Sequence, residues 1–251
     1  MLKTALRTLA LALALLAPGA GGQAAPPEYV VGVENHDYYP AYGVLANGQY
    51  GGAARLILDR FAADQGIRLV YRPLPVKRLY AELAGGGIDF KFPDSPDWNP
   101  PAKQGITVAY SKPVIRYVDG TMVLPANRGK PVATLGTISG FTPFAWLGRV
   151  EAGAVQVREA AGLDLLLNQV IKGRVDGGYA SVAVSHYRLG SVLGQPGALA
   201  FDPGQPHTRD AYLLSSAKHP QLIAAFDAWL AANAATVRAI IAETGAEAGI
   251  D

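Results

Sequence analysis

Short apolar stretches alternate with helical patterns along most of this chain. Residues 29–33 are β-branched and apolar, which predicts a short buried strand. Residues 52–62 carry apolar side chains at helical spacing, and a strand is predicted over 68–71. A helix over 77–83 and a strand over 88–92 repeat the same order. This alternation predicts parallel sheets with helices on both faces.

The second part of the chain continues the pattern. A strand is predicted over 130–135, and a loop rich in Gly and Thr over 136–142. A helix is expected to start within 143–147, with Thr142 as its N-cap and Pro143 at its first position. Further helices are predicted over 165–171, from Ser181 onward, over 221–233 and over 236–244.

Residues 1–24 have the pattern of a secretory signal. Lys3 and Arg7 precede an apolar run over 9–17, and small residues follow. This run is too short to span a bilayer, so we expect cleavage, with the cut after Ala24. A retained membrane anchor is the alternative. The rest of the chain is therefore expected to be exported and periplasmic.

Composition narrows the class of protein. The 29 Gly, 18 Pro and 17% charged residues in 251 suit a globular protein and argue against disorder. Removing the signal takes two of 22 basic residues and none of 20 acidic ones, which leaves a formally neutral chain. A neutral chain lacks the basic excess that binds nucleic acid. With no Cys, the fold is held by burial without disulfides, and a Cys nucleophile is excluded.

Two similar segments each join a helix to a strand, at 83–89 (LAGGGID) and 170–176 (VIKGRVD). Each resembles the "L…G.(I/V)D" signature of family 3 of the bacterial extracellular solute-binding proteins, the polar amino-acid-binding family. The stretch 108–114 (VAYSKPV) is similar to this family's aromatic-Ser-x-Pro-aromatic segment. The loop Tyr38-Tyr39-Pro40 resembles its Tyr-x-Pro loop. Together these pieces follow the family's order along the whole chain after the signal.

The resemblance implies the α/β fold called periplasmic binding protein type II. In that fold two lobes, each with a parallel-rich sheet and flanking helices, are joined by two interlobe crossings and close by a hinge motion over a ligand. We expect the first lobe at 25–114 and 210–251, and the second at 115–209.

The function that the resemblance implies is capture of a small polar solute, amino-acid-like or related, by a monomer. The solute would be delivered to the membrane permease of an ABC transporter. A ligand-carrying component of a periplasmic sensory system is the alternative in the binding class. An enzyme similar to cyclohexadienyl dehydratase, which shares the fold, is a weaker alternative.

Four candidate ligand-binding residues lie in the expected first lobe. Tyr38 matches the family's ligand-stacking aromatic residue, although it could instead pack within its own lobe. Lys91, Asp94 and Ser95 follow the first-lobe strand, where the family lines its pocket. A Lys and an Asp at this place could hold ionic groups of a ligand or could form a solvated salt bridge.

Four more candidates lie in the expected second lobe. Ser139, Phe141 and Thr142 belong to a loop similar to the family's Gly-Thr loop, which receives a ligand carboxylate or similar anion on backbone N–H groups. The alternative is a plain capped helix start. Ser181 stands where the family has an ammonium-binding Asp, and a hydroxyl can donate a hydrogen bond but cannot neutralise a cation.

The first-lobe carboxylate clamp also departs from the family. Where amino-acid binders carry a Thr-x-x-Arg segment, this chain has Asn-Pro-Pro-Ala-Lys at 99–103. An ordinary α-amino acid is therefore not the expected ligand, and Lys91 with Asp94 could bind the ligand's charges instead. On this interpretation, Asp94→Ala abolishes ligand binding without unfolding the protein.

No sequence feature favours catalysis. The four His residues show no metal-ligand spacing, and no nucleophile-elbow or phosphate-loop motif is present. A dehydratase would need one carboxylic acid held neutral in the cleft, for which Glu34 and Asp94 are the candidates. We expect no enzymatic activity, no cofactor and no metal.

Overall fold

The structure, a computed structural model, describes residues 25–250 of the chain. The predicted secretory signal lies outside these residues. The strands are β1 (Glu28–Glu34), β2 (Asp37–Tyr38), β3 (Tyr42–Val44), β4 (Tyr50–Gly51), β5 (Arg68–Leu74), β6 (Phe90–Asp94), β7 (Ala109–Tyr110), β8 (Ile115–Val123), β9 (Thr134–Ile138), β10 (Gln156–Ala160), β11 (Gly177–Ser181), β12 (Ala200–Phe201) and β13 (Thr208–Ser216).

Helices flank these strands throughout the described part of the chain. The α-helices are α1 (Ala53–Gln65), α2 (Val76–Ala84), α3 (Leu147–Glu151), α4 (Leu163–Ile171), α5 (Val182–Tyr187), α6 (Pro220–Ala232) and α7 (Ala234–Thr244). Short 3₁₀ helices cover Pro100–Lys103, Pro125–Asn127 and Phe144–Trp146, and a π-helical segment covers Arg188–Val192.

The first half of the main sheet is built on β1. This strand pairs in parallel with β5 on one side and β6 on the other, and Val31 lies opposite Tyr71 and Phe90. The end of β13 and the short β7 continue the sheet in antiparallel fashion. Helices α1, α2, α6 and α7 pack around this half, and Ile57 and Phe226 are fully buried in its core. We call this part the first half.

The second half repeats the arrangement with β9 at its centre. Strand β9 pairs in parallel with β10 and β11, while β8 pairs antiparallel with β11 and β12. Helices α4 and α5 pack on these strands, and Trp146 is buried with its indole N–H donating to Thr121 Oγ1 at 3.1 Å. A three-stranded sheet of β2, β3 and β4 lies outside the main sheet.

The two halves are joined by β8 and β13, which are nine residues long. Residues 115–119 of β8 pair antiparallel with residues 208–212 of β13. Strand β13 then continues into the first half, where Leu213 lies opposite Asp94, and β8 continues into the second half, where Thr121 lies opposite Tyr179. The main sheet is therefore continuous, and its middle is formed by the two strands that connect the halves.

The aspartates of the two similar segments anchor the two halves in the same way. Asp89 Oδ2 accepts a hydrogen bond from the backbone N–H of Val30 at 2.8 Å. Asp176 Oδ2 accepts bonds from the backbone N–H groups of Ala133 and Thr134. In each half the carboxylate therefore fixes the segment that enters the central parallel strand, which gives the repeated motif a structural role.

Most predicted elements are confirmed within a few residues. The strand predicted over 130–135 begins later, at Thr134. The predicted N-cap at Thr142 is wrong: the first helical turn is the 3₁₀ helix Phe144–Trp146, and its N-cap is Pro143, without a side-chain cap. Proline fixes φ but leaves ψ free, and here Pro143 has a ψ of 70° that lies outside the helical region.

Within residues 25–250, no helix combines the length and apolar character needed to cross a membrane. The same part of the chain holds no group of three or more His, Asp or Glu side chains that could bind a metal ion.

Candidate functional site

A small cavity of about 40 Å³, partly open to solvent, lies between the two halves. On the side of the first half, the cavity is lined by residues from the end of β1, from β2 and β3, and from α2. On the side of the second half, it is lined by residues from β8 and from the loop after β9. Its lining consists of Glu34, Tyr38, Tyr42, Val76, Tyr80, Trp98, Asp119, Gly140, Phe141, Thr142, Phe144 and Tyr212.

Seven of these twelve lining residues are aromatic. Tyr38 lies at the centre of the wall, with its ring centroid 5.2 Å from that of Tyr42 and 5.5 Å from that of Phe141. The Tyr42 ring in turn packs edge-on against Tyr212 at 5.3 Å. These ring–ring contacts fix the orientation of Tyr38, Tyr42, Phe141 and Tyr212, so this part of the wall presents π faces and edges to a ligand.

Glu34 is the last residue of β1 and is only 2% exposed. Its Oε2 accepts a hydrogen bond of 2.9 Å from the Tyr42 hydroxyl. Burial raises the pKa of Glu34 to about 7, and the nearby Lys91 ammonium and the Tyr42 hydrogen bond offset only part of this effect. This carboxyl group therefore changes its charge near neutral pH.

Asp119 is the second acidic residue in the lining. It lies on β8, where its cross-strand neighbours are Ser181 on β11 and Thr208 on β13. Its Oδ1 is buried and has no hydrogen-bond partner among the described residues. Burial raises the pKa of Asp119 to about 7, and the negative charges of Glu34 and Asp210 add to this effect. A buried carboxyl oxygen without a donor is costly unless something else supplies one.

Lys91, Asp94 and Ser95 are also fully or almost fully buried, but the structure does not place them in the cavity lining. Lys91 Nζ lies 3.2 Å from Asp94 Oδ1, and Lys103 Nζ lies 3.0 Å from the same oxygen. The other carboxylate oxygen, Oδ2, accepts from the Ser215 hydroxyl at 2.7 Å. Lys91, Lys103 and Asp94 form a cluster that we call the buried ion cluster.

The buried ion cluster lies next to the cavity wall. Lys91 Nζ is 4.6 Å from the ring centroid of Tyr80 and 5.6 Å from that of Trp98, and both rings line the cavity. The cluster therefore supports two wall residues by cation–π contacts. Direct ligand contact by Lys91, Asp94 and Ser95 stays a prediction.

The loop after β9 brings Phe141 and Thr142 into the cavity lining. Ser139 is exposed, and its hydroxyl donates to Glu159 Oε2 at 2.8 Å. The backbone N–H groups of Ser139 and Phe141 donate to Ala160 O and Ile138 O, so neither is free for an anion. Between them, Gly140 has a φ of 86°, which suits glycine, and a Cβ there would lie 3.3 Å from Val76 of the first half.

Several contacts join the two halves around the cavity. The backbone N–H of Ser181 donates to the Tyr38 hydroxyl at 2.9 Å, while Ser181 Oγ caps α5. Arg188 of the second half pairs with Asp164 of its own half and with Asp37 of the first half. Tyr38 and Ser181, which the sequence analysis selected separately, are therefore brought together across the cleft.

We expect Arg188→Ala to favour an open arrangement of the two halves. The substitution removes the ion pair to Asp37 across the cleft together with the pair to Asp164 within the second half. Loss of the cross-cleft pair should appear as a larger radius of gyration in solution scattering. The loss of stability should stay near or below about 1 kcal/mol for the cross-cleft pair, because partly exposed ion pairs contribute little. Arg55→Ala is the matched control, since Arg55 pairs with Asp59 within α1. An equal radius for both variants would contradict a role of Arg188 in closure.

The sequence analysis considered Glu34 only as a candidate acid. It did not select eight of the lining residues, which are Tyr42, Val76, Tyr80, Trp98, Asp119, Gly140, Phe144 and Tyr212. A signal existed for Glu34, because it directly follows the first buried strand at its carboxyl end, where ligands of α/β proteins bind. No comparable signal marked Asp119, which lies in the middle of a strand that enters both halves.

No protein-family model matches the chain, and no curated protein sequence matches it. Among solved structures, it is similar to an ancestral arginine-binding protein bound to arginine, with a TM-score of 0.71 and 17% identity over 88% of this chain and 99% of that chain. A histidine kinase sensor domain with similarity to periplasmic binding proteins matches with a TM-score of 0.70 and 16% identity, over 88% and 97% of the two chains.

A substrate-binding protein of an ABC uptake transporter from Streptococcus pneumoniae, with bound histidine, matches with a TM-score of 0.68 and 18% identity, over 86% of this chain and 92% of that chain. At this level of identity the similarity establishes the fold. The predicted α/β periplasmic binding protein type II fold is confirmed, whereas membership of family 3 stays a prediction.

Proposed function

We propose that this protein binds a small polar solute in the cavity between its two halves. The observation that carries the proposal is Asp119 Oδ1, a buried carboxyl oxygen that has no partner in the described residues and belongs to a cavity lined by seven aromatic side chains. A ligand that donates to this oxygen would remove the cost of its burial. The cavity is also bounded by both halves, as a closing binding site requires.

The wider role follows the resemblance in sequence and fold. We take the chain after residue 24 to act in the periplasm as a monomer, with lobes at 25–114 with 210–251 and at 115–209. Delivery of the solute to an ABC permease is the favoured role, and one similar structure belongs to such a transporter. A sensory role is supported in the same way by the similarity to a kinase sensor domain. Both roles use the same binding step.

The binding step is tested by thermal-shift measurements on residues 25–251 with amino acids, amines, small carboxylates and sugars. A solute that binds only the folded protein raises its melting temperature. Thr142→Trp should abolish the shift, because Thr142 lines the cavity and a large ring there would fill it. Ser139→Trp is the matched control, since Ser139 lies three residues away in the same loop but is exposed and outside the lining.

Two results would contradict the proposal. One is the absence of a shift with every class of solute. The other is a shift that Thr142→Trp leaves unchanged, which would place the bound solute elsewhere on the protein.

One observation favours a second candidate function, acid-assisted elimination by an enzyme similar to cyclohexadienyl dehydratase. Glu34 has its pKa raised to about 7 by burial, so it can donate a proton near neutral pH. The proton would go to the ring hydroxyl of the substrate, which leaves as water while the ring carboxylate leaves as CO₂. Incubation with prephenate and arogenate, followed by detection of phenylpyruvate or phenylalanine, tests this function. Formation of either product by the wild type but not by Glu34→Gln would make the protein an enzyme.

A further inference from the structure

We propose that the solute is a small organic cation without a carboxylate, such as a protonated amine or a quaternary ammonium compound. This inference rests on the proposed function and narrows it to one chemical class. It is drawn from the charges, the aromatic wall and the unpartnered carboxyl group of the cavity.

The charges of the lining are all of one sign. Glu34 and Asp119 line the cavity, and no Lys, Arg or His is found among the lining residues. The ammonium groups of Lys91 and Lys103, next to the cavity wall, are held by Asp94 in the buried ion cluster. A ligand carboxylate in this cavity would be repelled by whichever of the Glu34 and Asp119 carboxyl groups is ionised, and the lining holds no cationic side chain to offset the repulsion.

Two of the four backbone donors in the expected anion-binding loop are already in use. In the loop at 139–142, which the resemblance identifies as an anion-binding loop, the N–H groups of Ser139 and Phe141 are already used by Ala160 O and Ile138 O. The residue at the position of the family's ammonium-binding Asp, Ser181, gives its N–H to the Tyr38 hydroxyl. The N–H groups of Gly140 and Thr142, which line the cavity, donate to no backbone carbonyl of the described residues. A ligand carboxylate would therefore find only these two neutral donors in the loop and no cationic side chain.

The aromatic wall and the acidic side chains favour the same kind of ligand. A cation is attracted to the faces of Trp and Tyr rings, and the effect is larger in a site shielded from water. Tyr38 and Tyr212 supply such rings around the cavity, whereas Tyr80 and Trp98 each already have one contact with the Lys91 ammonium group. Asp119 Oδ1, which has no donor among the described residues, supplies the acceptor or counter-ion for the cationic group.

The test uses pairs of ligands that differ by one carboxylate. Isothermal titration calorimetry compares agmatine with arginine, and choline with glycine betaine, on the protein without its signal. In at least one pair we expect the partner without a carboxylate to bind at least about 10-fold more tightly, which corresponds to one 1.4 kcal/mol step in binding free energy. The Asp119→Asn variant should weaken this binding by about 10- to 100-fold, as expected for loss of a charge-assisted contact.

The control variant is Asp210→Asn. Asp210 is exposed on β13 and raises the pKa of Asp119 through its charge, but it does not line the cavity. It should leave cation affinity within about 3-fold of wild type, whereas a purely long-range electrostatic effect would weaken binding in both variants. Thermal melts of both variants verify that they are folded.

The outcomes separate this inference from the proposed function. Tighter binding of arginine or glycine betaine than of their partners would overturn the cation proposal while leaving solute binding intact. Binding of a sugar or a carboxylic acid, with no binding of any of the four cations or zwitterions, would do the same. Failure of every solute in the thermal-shift panel would overturn both.

Discussion

Asp94→Ala is expected to destabilise the fold by about 3–5 kcal/mol, the range found when one partner of a buried ion pair is removed. Asp94 is fully buried, and its Oδ1 faces the ammonium groups of both Lys91 and Lys103. Removing the carboxylate leaves two ammonium groups without the one carboxylate that both contact, and the Ser215 hydroxyl loses its acceptor. Urea denaturation of the wild type and the variant measures the difference.

The neighbouring Asp97→Ala serves as the control, because Asp97 lies three residues away and is exposed. A second variant, Asp94→Asn, keeps the size of the side chain and one acceptor oxygen, so it separates loss of charge from loss of volume. If Asp94→Ala kept the stability of the wild type and lost only ligand binding, the original sequence-based prediction would hold and Asp94 would be a ligand-binding residue.

Stability without ligand is expected to fall as the pH rises from about 4.5 to 7, through the carboxyl groups of the cavity. Burial raises the pKa of Glu34 from 4.5 to about 7, so in this range the folded protein holds a proton that the unfolded chain has released. The stabilisation is fully present below pH 4.5 and is lost as the pH passes 7. A pKa difference of this size corresponds to about 3 kcal/mol.

Glu34→Gln isolates this effect, because glutamine resembles the protonated form at every pH. The stability of the variant relative to wild type should increase by about 3 kcal/mol between pH 4.5 and 8. The comparison cancels His36 and His186, whose pKa values are lowered by burial and which act in the opposite direction. Glu243→Gln, an exposed site on α7, controls for the substitution itself.

The pH dependence of this stability difference depends on the charged groups around Glu34. Lys91 lowers the pKa of Glu34, whereas Asp94 raises it, and the Tyr42 hydroxyl lowers it through its hydrogen bond. Asp119 titrates near the same pH and is influenced by Glu34 and Asp210. If the stability of Glu34→Gln relative to wild type stayed constant from pH 4.5 to 8, Glu34 would be charged throughout this range. The inference that burial keeps its carboxyl group protonated would then be wrong.

The parallel strands could be predicted from short apolar runs, and the helices from apolar side chains that recur at helical spacing. Helix α1 has buried residues at 53, 54, 57, 58 and 61, which is a regular helical face. The aspartates of the two similar segments were also visible as a repeated motif. The strands β8 and β13 were harder, because each passes from one half to the other and changes its neighbours along its length.

Lys91 was predicted to bind the ligand, whereas the structure places it in the buried ion cluster behind the cavity wall, and this difference has a physical cause. Strand β6 is buried at all five positions, so alternation of polar and apolar residues does not reveal which side chains face a ligand. A buried lysine between Phe90 and Phe92 must have a partner for its charge, but the sequence does not identify that partner. Its partners come from two different segments, Asp94 at the strand end and the Tyr80 ring on α2, and only the folded chain brings them together.

The contacts that connect the two halves have a consequence for the speed of ligand exchange. The cavity is partly open to solvent, but its volume of about 40 Å³ has room for only a few water molecules. A solute of amino-acid size can therefore enter only after contacts such as the one between Tyr38 and Ser181, and the pair of Arg188 with Asp37, have separated. At high ligand concentration the observed association rate should therefore level off at the rate of cleft opening instead of rising in proportion to concentration. Release of the solute then requires the same opening of the cleft as its entry. Weakening the cross-cleft contacts would therefore raise the limiting association rate and shorten the residence time.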